Sequence, residues 1–231
     1  MIRPKMLHKA LLAATAAALC IGAAPPQSKT TVTSVSKTAI ASHVIGDPAA
    51  KNTLVEYISY TCRHCADFER EGSDLVKLQF VGTGRLKFEV RHLLLNVIDL
   101  TVATATHCLP TNRFFPAHSA MLKRQDEWLG KASSATPAQQ ARWNAGTLRQ
   151  RMQAVASDIG LYDIMENHGL SRAKLDQCLG DEGVYEPIID QSTAAQQRGI
   201  RSTPTFELNG ARLATFSAEG VGRVLAETLK R

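Results

Sequence analysis

The sequence lacks internal repeats, and it has no basic run interleaved with aromatic residues of the kind that binds nucleic acid. Aromatic residues make up 6% of its 231 residues, and its 27 lysines and arginines outnumber its 21 acidic residues only modestly. Its alanine-rich apolar stretch, residues 10–24, is shorter than the roughly 20 residues of a membrane-spanning helix. These absences argue against a repeat architecture and a nucleic-acid-binding protein.

Cysteine is also scarce, and its arrangement limits its role. Of five cysteines, two form a Cys-x-x-Cys motif, Cys62 and Cys65, and three stand singly, Cys20, Cys108 and Cys178. A zinc site normally uses two close pairs of ligands, so zinc would have to recruit the later single cysteines or a histidine. A structural disulfide within the motif would close too small a loop to stabilise the fold much. Both alternatives stay open, but the motif favours thiol redox chemistry.

The amino terminus has the pattern of a signal peptide, in which a basic start precedes a short apolar segment. We expect residues 1–24 to be this signal peptide and residues 25–41, rich in Ser, Thr, Lys and Pro, to be a flexible linker. Export to the periplasm would remove Cys20 and leave four cysteines in an oxidising compartment. The basic residues of the leader are Arg3, Lys5 and Lys9.

The Cys-x-x-Cys motif lies where a predicted strand gives way to a predicted helix. The residues before it are β-branched, apolar or aromatic, and those after it are mostly good helix formers. At the start of a helix, unpaired N–H groups and the helix dipole favour an anionic sulfur. Arg63 and His64 add positive charge there. We therefore expect Cys62 to be a nucleophile of low pKa and Cys65 to be the resolving thiol.

Two segments of the chain resemble one known family. The first contains Glu56, six places before Cys62, then an apolar and aromatic run and Cys-x-His-Cys. The second, residues 199–210, contains Thr203 and Pro204 followed by a strand and a turn. In this order they resemble the active-site and cis-proline segments of the DsbA-like thiol:disulfide oxidoreductases of the thioredoxin superfamily. The general resemblance covers the chain from about residue 42 to its end.

The resemblance implies an α/β fold, namely a thioredoxin fold with a large helical insertion between its two halves. We expect one domain over residues 42–231, with the insertion at about residues 97–182. An amphipathic stripe agrees with helices in the insertion, and bulky aromatic residues there are expected in its core. The stripe is Leu148, Met152, Val155 and Ile159, and the aromatic residues are Phe114, Phe115, Trp128 and Trp143.

Local patterns predict the individual elements. A tight turn is expected at Asn209-Gly210, and Ser171 is expected to cap a helix. Predicted strands cover residues 42–48, 52–60, 85–93, 205–208 and 213–216, and predicted helices cover residues 62–81 and 185–198 and a last segment after Ser217.

Further site residues follow from the resemblance. It implies a cis bond before Pro204, with the Thr203 backbone close to Cys62 and free to pair with an extended substrate. It also implies that Glu56 is a buried carboxylate that relays protons to and from Cys65, a role that needs a raised pKa. Residue spacing alone would leave the proline trans and Glu56 on the surface.

The resemblance also implies a structural disulfide between Cys108 and Cys178 in the insertion. The alternative is two buried free thiols, because free cysteine is often buried. His107, beside Cys108, is expected to be an ordinary, partly buried histidine and no ligand.

The implied activity is thiol-disulfide exchange through Cys62 and Cys65. We expect an exported monomer without a cofactor or metal that introduces disulfides into reduced, unfolded or partly folded exported proteins. The family implies reoxidation by a membrane partner of the DsbB type. His64 matches the DsbA-type motif, whereas Arg63 replaces its usual proline and Thr203 resembles the isomerase and reductase relatives. A periplasmic reductase or isomerase is therefore the alternative, and a metal-binding module is a third hypothesis.

Overall fold

A mixed β-sheet lies at the centre of the structure, a computed structural model that describes residue 1 and residues 34–230. The predicted signal peptide, residues 1–24, lies outside the described residues apart from Met1. The strands of the sheet are β1 (Ser34–Lys37), β2 (His43–Gly46), β3 (Asn52–Ile58), β4 (Leu86–His92), β5 (Thr205–Leu208) and β6 (Ala211–Arg212).

The strands are arranged in the order β1-β2-β4-β3-β5-β6, so that the cysteine motif follows a central strand. β3 runs parallel to β4 and antiparallel to β5. Leu54 and Ile58 pack into one core and Val55 and Tyr57 into another, because successive side chains point to opposite faces and both faces are covered. The register places Glu56 beside Phe206, which brings the two family-like segments together.

Strand β1 differs from the expectation for the linker. The sequence predicts flexibility over residues 25–41, but residues 34–37 pair antiparallel with β2. Val35 packs against the main core, and Ser34 Oγ donates to the Gly46 carbonyl at 3.1 Å. These tertiary contacts order a segment whose polar composition alone indicates no strand. The linker assignment is therefore wrong for these four residues.

The helix that carries the motif alternates between two helical geometries. α1 (Arg63–Phe68) continues through a π-helical turn at Glu69–Ser73, α2 (Asp74–Val76) and a second π-helical stretch at Lys77–Val81. The predicted helix over residues 62–81 is confirmed. Because an α-helical turn closes in about 3.6 residues and a π-helical turn is wider, this alternation keeps residues four apart on one face.

The region between β4 and β5 is helical, and the predicted insertion corresponds to its first seven helices. In the part of the chain that the structure describes, no helix is long and apolar enough to cross a membrane. The helices are α3 (Val97–His107), a short 3₁₀ turn (Thr111–Arg113), α4 (Phe114–Lys123), α5 (Gln125–Ser133), α6 (Pro137–Trp143), α7 (Leu148–Asp158), α8 (Leu161–Glu166), α9 (Arg172–Cys178), α10 (Glu182–Gln197) and, after β6, α11 (Ala218–Thr228).

The insertion is built around the aromatic and aliphatic side chains that the sequence indicates. Trp128 is buried and its indole N–H donates to the Met121 carbonyl at 2.8 Å. Trp143 is buried too, and its N–H donates to Asp158 at 2.8 Å, so each large ring is buried with its polar atom satisfied. The other predicted core residues that are buried are Phe114, Phe115, Met152, Val155 and Ile159.

The strand predicted over residues 213–216 is wrong. The observed strand β6 is shorter and lies earlier in the chain, at Ala211–Arg212. Asn209 and Gly210 have φ angles of 53° and 84° and form a two-residue turn, so pairing resumes directly after it at Ala211–Arg212. If the pairing continued beyond Arg212, its partners on β5 would approach Pro204. Proline has no backbone N–H and cannot donate a hydrogen bond to a neighbouring strand.

Two predicted helix starts behave differently. Ser217 accepts a hydrogen bond from the Gly220 amide and caps α11. Ser171 occupies the equivalent position before α9, but its side chain makes no capping hydrogen bond. Ser171 therefore lies at the predicted capping position, but its side chain does not cap α9.

A disulfide joins Cys108, after α3, to Cys178, at the end of α9, with the Cα atoms 6.0 Å apart. It links residues 70 apart in sequence. Cross-linking a loop of this length should stabilise the fold by about 4 kcal/mol in the chain-entropy model. We therefore expect the double substitution Cys108→Ala and Cys178→Ala to lower the free energy of unfolding by about that amount.

Urea unfolding of the oxidised protein and of the double variant measures this difference. The active-site cysteines should be kept in the same redox state in both samples, so that only the second pair differs. A loss below about 1 kcal/mol would show that the bond does not restrict the unfolded chain as the loop length implies.

Candidate active site

The motif lies at the end of the central strand, where the chain turns into α1. Cys62 occupies the position before the helix with extended backbone angles, and its amide donates to the Ser59 carbonyl at 3.2 Å. Cys62 is half-buried, whereas Cys65, in the first helical turn, is fully buried. Both are free thiols in this structure. One sulfur is therefore accessible to a partner protein and the other is not.

The second segment lies directly against Cys62. The Thr203–Pro204 peptide bond is cis, and the Cys62 thiol donates to the Thr203 carbonyl at 3.1 Å. Pro204 immediately precedes β5, which pairs with the strand that leads to the motif. The two segments that resemble the family thus form one site, although 141 residues separate Cys62 from Thr203.

The two thiols differ strongly in acidity. A hydrogen bond from the Cys65 thiol, helped by the Thr203 side chain and the amides of Cys65 and His64, lowers the pKa of Cys62 to about 5 despite its partial burial. Burial and the neighbouring Cys62 sulfur raise the pKa of Cys65 well above its usual value. When Cys62 ionises, its bond to the Thr203 carbonyl is lost and these donors replace it. The pair therefore holds one thiolate and one thiol at neutral pH.

Arg63 and His64 are exposed on the outer side of the motif. His64 Nδ1 lies 3.7 Å from Asp67, and its ring centre lies 5.6 Å from that of Phe216. His64 contributes to the low pKa of Cys62 through its backbone amide. The sequence predicts stabilisation by the two side-chain charges, whereas the structure assigns the main part to hydrogen bonds.

Glu56 is buried beneath the motif. Its side chain is 1% exposed, and neither carboxylate oxygen has a hydrogen-bond partner among the described residues. Burial, together with the charges of Glu69 and Cys62, raises the pKa of Glu56 well above its usual value, although Lys77 opposes this. Burial therefore favours the protonated form of Glu56, which can supply a proton near Cys65, whose own pKa the charge of Glu56 raises.

Two buried side chains that sequence reasoning missed hold the active-site turn. Gln125 Nε2 donates to the carbonyls of Tyr60 and Cys62 at 2.7 and 2.9 Å. Asp99 accepts from the Tyr60 amide at 2.7 Å, and burial raises its pKa to about 7. Both come from the insertion, so no spacing relative to the motif could have indicated them. Glu69, four residues after Cys65, was also missed, and its helical spacing was a usable signal.

The structure gives little support to a metal site. Within residues 34–230, no group of three or more His, Cys, Asp or Glu side chains is arranged to hold a metal ion. Cys108 and Cys178 are bonded to each other and lie outside the motif. They are therefore not available to complete a zinc site with Cys62 and Cys65.

Comparison with known proteins agrees with this geometry. A family model described as thioredoxin matches residues 38–227. The chain belongs to the thioredoxin family. The DsbA-like resemblance and the thioredoxin fold with a helical insertion are thereby confirmed.

Relatives of this thioredoxin-family chain carry related names. A Rickettsia typhi protein named as a protein-disulfide oxidoreductase is 24% identical over 189 residues, which are 81% of this chain and 62% of the relative. One from Rickettsia conorii is 23% identical, over 81% of this chain and 60% of the relative. The chain thus spans about six-tenths of the length of these curated relatives.

Solved structures show the same architecture. A protein-disulfide isomerase from Novosphingobium aromaticivorans is 38% identical and superposes with a TM-score of 0.78, over 82% of this chain and 98% of that chain. Wolbachia pipientis alpha-DsbA1 is 22% identical with a TM-score of 0.64, over 80% of this chain and 89% of that chain, and it shares the fold.

Proposed function

We propose that this chain is an exported protein thiol:disulfide oxidoreductase that introduces disulfides into periplasmic proteins through Cys62 and Cys65. The observation that carries the proposal is the asymmetry of the pair, in which a half-exposed Cys62 of low pKa lies over a buried Cys65 of raised pKa. The names of its relatives support exchange chemistry, and the basic and apolar leader supports export.

The reaction follows from this asymmetry. In the oxidised protein a substrate thiolate attacks Cys62 Sγ, the Cys62–Cys65 bond breaks, and Cys65 leaves as a thiolate. Because the pKa of Cys65 is raised, the leaving thiolate takes a proton, and the buried Glu56 carboxyl, whose pKa is also raised, can supply it. A second substrate thiolate then attacks the substrate sulfur of the mixed disulfide, forming the new disulfide and releasing Cys62 as a stable thiolate.

The surface around Cys62 suits unfolded clients. Phe216, beside His64, and Leu95, next in sequence to Asn96, are each about half exposed. Leu95 adjoins Asn96, whose side chain donates to Thr61 Oγ1 at 3.2 Å and so lies next to the motif. Exposed apolar groups that flank a reactive thiol favour partners with exposed apolar segments, such as reduced, incompletely folded proteins. A membrane protein of the DsbB type would complete the cycle by reoxidising Cys62 and Cys65.

The direction of exchange depends on how strongly the Cys62 thiolate is stabilised. In thioredoxin the nucleophilic cysteine has a pKa of about 7 and the reduction potential is about −270 mV. In DsbA the corresponding pKa is about 3.5 and the reduction potential is about −120 mV. A pKa of about 5 for Cys62 lies between them. Linear interpolation between these two proteins gives a potential of about −180 mV, more oxidising than thioredoxin.

Isomerisation is the second candidate function. The 38% identical relative from Novosphingobium aromaticivorans is named a protein-disulfide isomerase, and Thr203 resembles the residue of the isomerase and reductase relatives. The interpolated potential is the same as that of protein disulfide isomerase, about −180 mV. Comparing the oxidation of a reduced client with the recovery of a scrambled client separates the two activities.

We expect the ultraviolet absorbance of the Cys62 thiolate in the reduced protein to titrate with a midpoint near 5. Equilibration with glutathione buffers should give a potential of about −180 mV. Cys62→Ser provides the control and should remove the absorbance change at this pH. A midpoint near the ordinary thiol value of about 8.5, or a potential at or below that of thioredoxin, would contradict the oxidase proposal.

A further inference from the structure

A groove of about 230 Å³ lies beside the cis-proline, and Pro204 and Phe216 are among the residues that line it. The ring of Phe216 lies 5.6 Å from that of His64, between the two cysteines. Pro204 directly follows Thr203, whose carbonyl accepts from the Cys62 thiol at 3.1 Å. This Pro204 groove therefore adjoins the accessible sulfur of the motif.

The charged side chains that line the Pro204 groove are both basic. They belong to Arg201 and Arg212, and none of the described residues that line the groove is an aspartate or glutamate. Both arginines are exposed. The guanidinium of Arg212 donates to the carbonyls of Gly199 and Arg198 at 3.3 and 3.4 Å, which places it against the loop that leads to Pro204. The lining of the groove thus carries positive charge that it does not itself neutralise.

Acidic residues near the groove and the motif in sequence have basic partners of their own. The pairs are Glu207 with Arg198, Asp67 with Arg70, and Glu219 with Arg223, at 3.0, 3.4 and 3.4 Å. By contrast, no ion pair within the described residues involves Arg201, Arg212 or the exposed Arg63 of the motif. The positive charge at the Pro204 groove is therefore available to a bound partner.

A client that is bonded to Cys62 brings its neighbouring residues to this charge. Thr203 lies at the Cys62 sulfur, and Arg201 is two residues before Thr203 in the chain. An extended chain advances by roughly 3.5 Å per residue. Client residues within about three positions of the reacting cysteine are therefore within reach of the long Arg201 and Arg212 side chains.

We propose that Arg201 and Arg212 make the Pro204 groove selective for client segments with an acidic residue within about three positions of the reacting cysteine. The inference rests on the proposed exchange activity and names the class of client that it favours. A guanidinium group binds a carboxylate through charge-assisted hydrogen bonds. Exposed pairs of this kind are weak and are screened by salt, so each arginine should change the rate of exchange about threefold.

The test is the rate at which the oxidised protein oxidises reduced peptides at low ionic strength. Each peptide contains two cysteines, and the peptides differ only beside the first cysteine, where they carry glutamate, glutamine or lysine. One reaction oxidises the two peptide thiols to a disulfide and reduces the Cys62–Cys65 bond to two thiols. Dividing each rate by the rate of the same peptide with hydroxyethyl disulfide, a neutral disulfide, removes the effect of the flanking charge on the reactivity of the peptide thiol itself.

We expect the corrected rate of the glutamate peptide to be about tenfold higher than that of the glutamine peptide, and that of the lysine peptide to be the lowest. Adding salt to about 0.5 M should reduce the difference. The double variant Arg201→Gln and Arg212→Gln should bring the glutamate and glutamine peptides to within about twofold of each other.

Two further variants separate charge from structure. Arg201→Lys with Arg212→Lys keeps both charges and should keep most of the preference. Arg149→Gln removes an exposed arginine of α7 that does not line the Pro204 groove, and it should keep the preference in full. Because each variant is judged by the ratio of its rates with two peptides, a general loss of activity does not change the result.

The outcomes distinguish the inference from the function on which it rests. Equal corrected rates for the glutamate and glutamine peptides in the wild type would overturn the inference while leaving the exchange activity intact. A double glutamine variant that keeps the full preference would overturn it as well, because the selectivity would then come from other groups. A wild-type protein that oxidises all of the peptides no faster than hydroxyethyl disulfide does would instead contradict the proposed function itself.

Discussion

Replacing Cys65 by serine is expected to stop disulfide exchange and to leave Cys62 bound to its partner as a mixed disulfide. The Cys62 thiolate still forms, since the Thr203 side chain and the backbone amides of residue 65 and His64 still donate to it despite its partial burial, and it can attack a partner disulfide. The adduct persists because Cys65, which lies within hydrogen-bond reach of Cys62, is the thiol that would release it. A neighbouring thiol fixed at this distance acts at a very high effective concentration, so we expect turnover to fall by at least about a thousandfold.

Mass spectrometry after acid quenching measures this result. The Cys65→Ser protein should carry one glutathione per chain after exposure to oxidised glutathione, and it should capture a disulfide-bonded client protein in the same way. Cys62→Ser is the matched control, because its remaining thiol at Cys65 is buried with a raised pKa and should form no adduct. Equal adduct formation by the two variants would contradict the assignment of Cys62 as the nucleophile.

A steep loss of stability below pH 6 is the second large expected effect. Four histidines are buried where the sheet meets the insertion: His43 on β2, His92 on β4, His107 on α3 and His118 on α4. His92 and His107 lie with their Nε2 atoms 3.0 Å apart, and the ring of His43 stacks on Phe114 at 3.6 Å. Each retains a ring nitrogen without a partner among the described residues.

Burial and the neighbouring positive groups keep these histidines neutral. They lower the pKa of His43 to about 3, and those of His92 and His107 well below the usual value. The pKa of His118 falls to about 4, mainly through burial. Since the unfolded chain binds protons below about pH 6.5 and the folded chain does not, stability is complete above that pH and falls as the pH decreases.

Two buried acids act in the opposite direction. Burial raises the pKa of Glu56 and raises that of Asp99 to about 7, so both carboxyls hold protons in the folded protein at pH values where the unfolded chain has released them. On unfolding, the four histidines bind up to four protons and the two carboxyls release up to two. The free energy of unfolding should therefore fall by about 2 to 3 kcal/mol per pH unit between pH 6 and 5. Urea unfolding at several pH values measures this slope.

The variant His43→Phe isolates one member of the cluster. It keeps an aromatic ring on Phe114 and removes one titrating group, so the pH dependence should weaken by about 1.4 kcal/mol per pH unit. Val155→Ala is the control, because it removes buried methyl groups without changing any titration and should lower stability equally at each pH. An unchanged slope in His43→Phe would show that His43 does not remain neutral in the folded protein.

The sequence by itself determined the redox motif and most of the fold. A strand-forming run before Cys62 and helix formers after it place a reactive sulfur at a helix start, because those preferences are local. The turn at Asn209-Gly210 and the apolar stripe of α7 are local in the same sense. The resemblance added Pro204 and Glu56 at positions that spacing alone leaves ambiguous.

Only the tertiary structure decided the remainder, because the deciding contacts join residues far apart in the chain. Residues 34–37 become a strand only when β2 offers a partner. Gln125 holds the active-site turn across 63 residues of sequence, which no local pattern reveals. Burial in the folded chain favours the neutral forms of the four histidines and of Glu56, because it removes water from them. Burial and long-range pairing are properties of the folded chain. The pKa shifts of Cys62, Cys65 and Glu56 could therefore be assigned to their causes only from the structure.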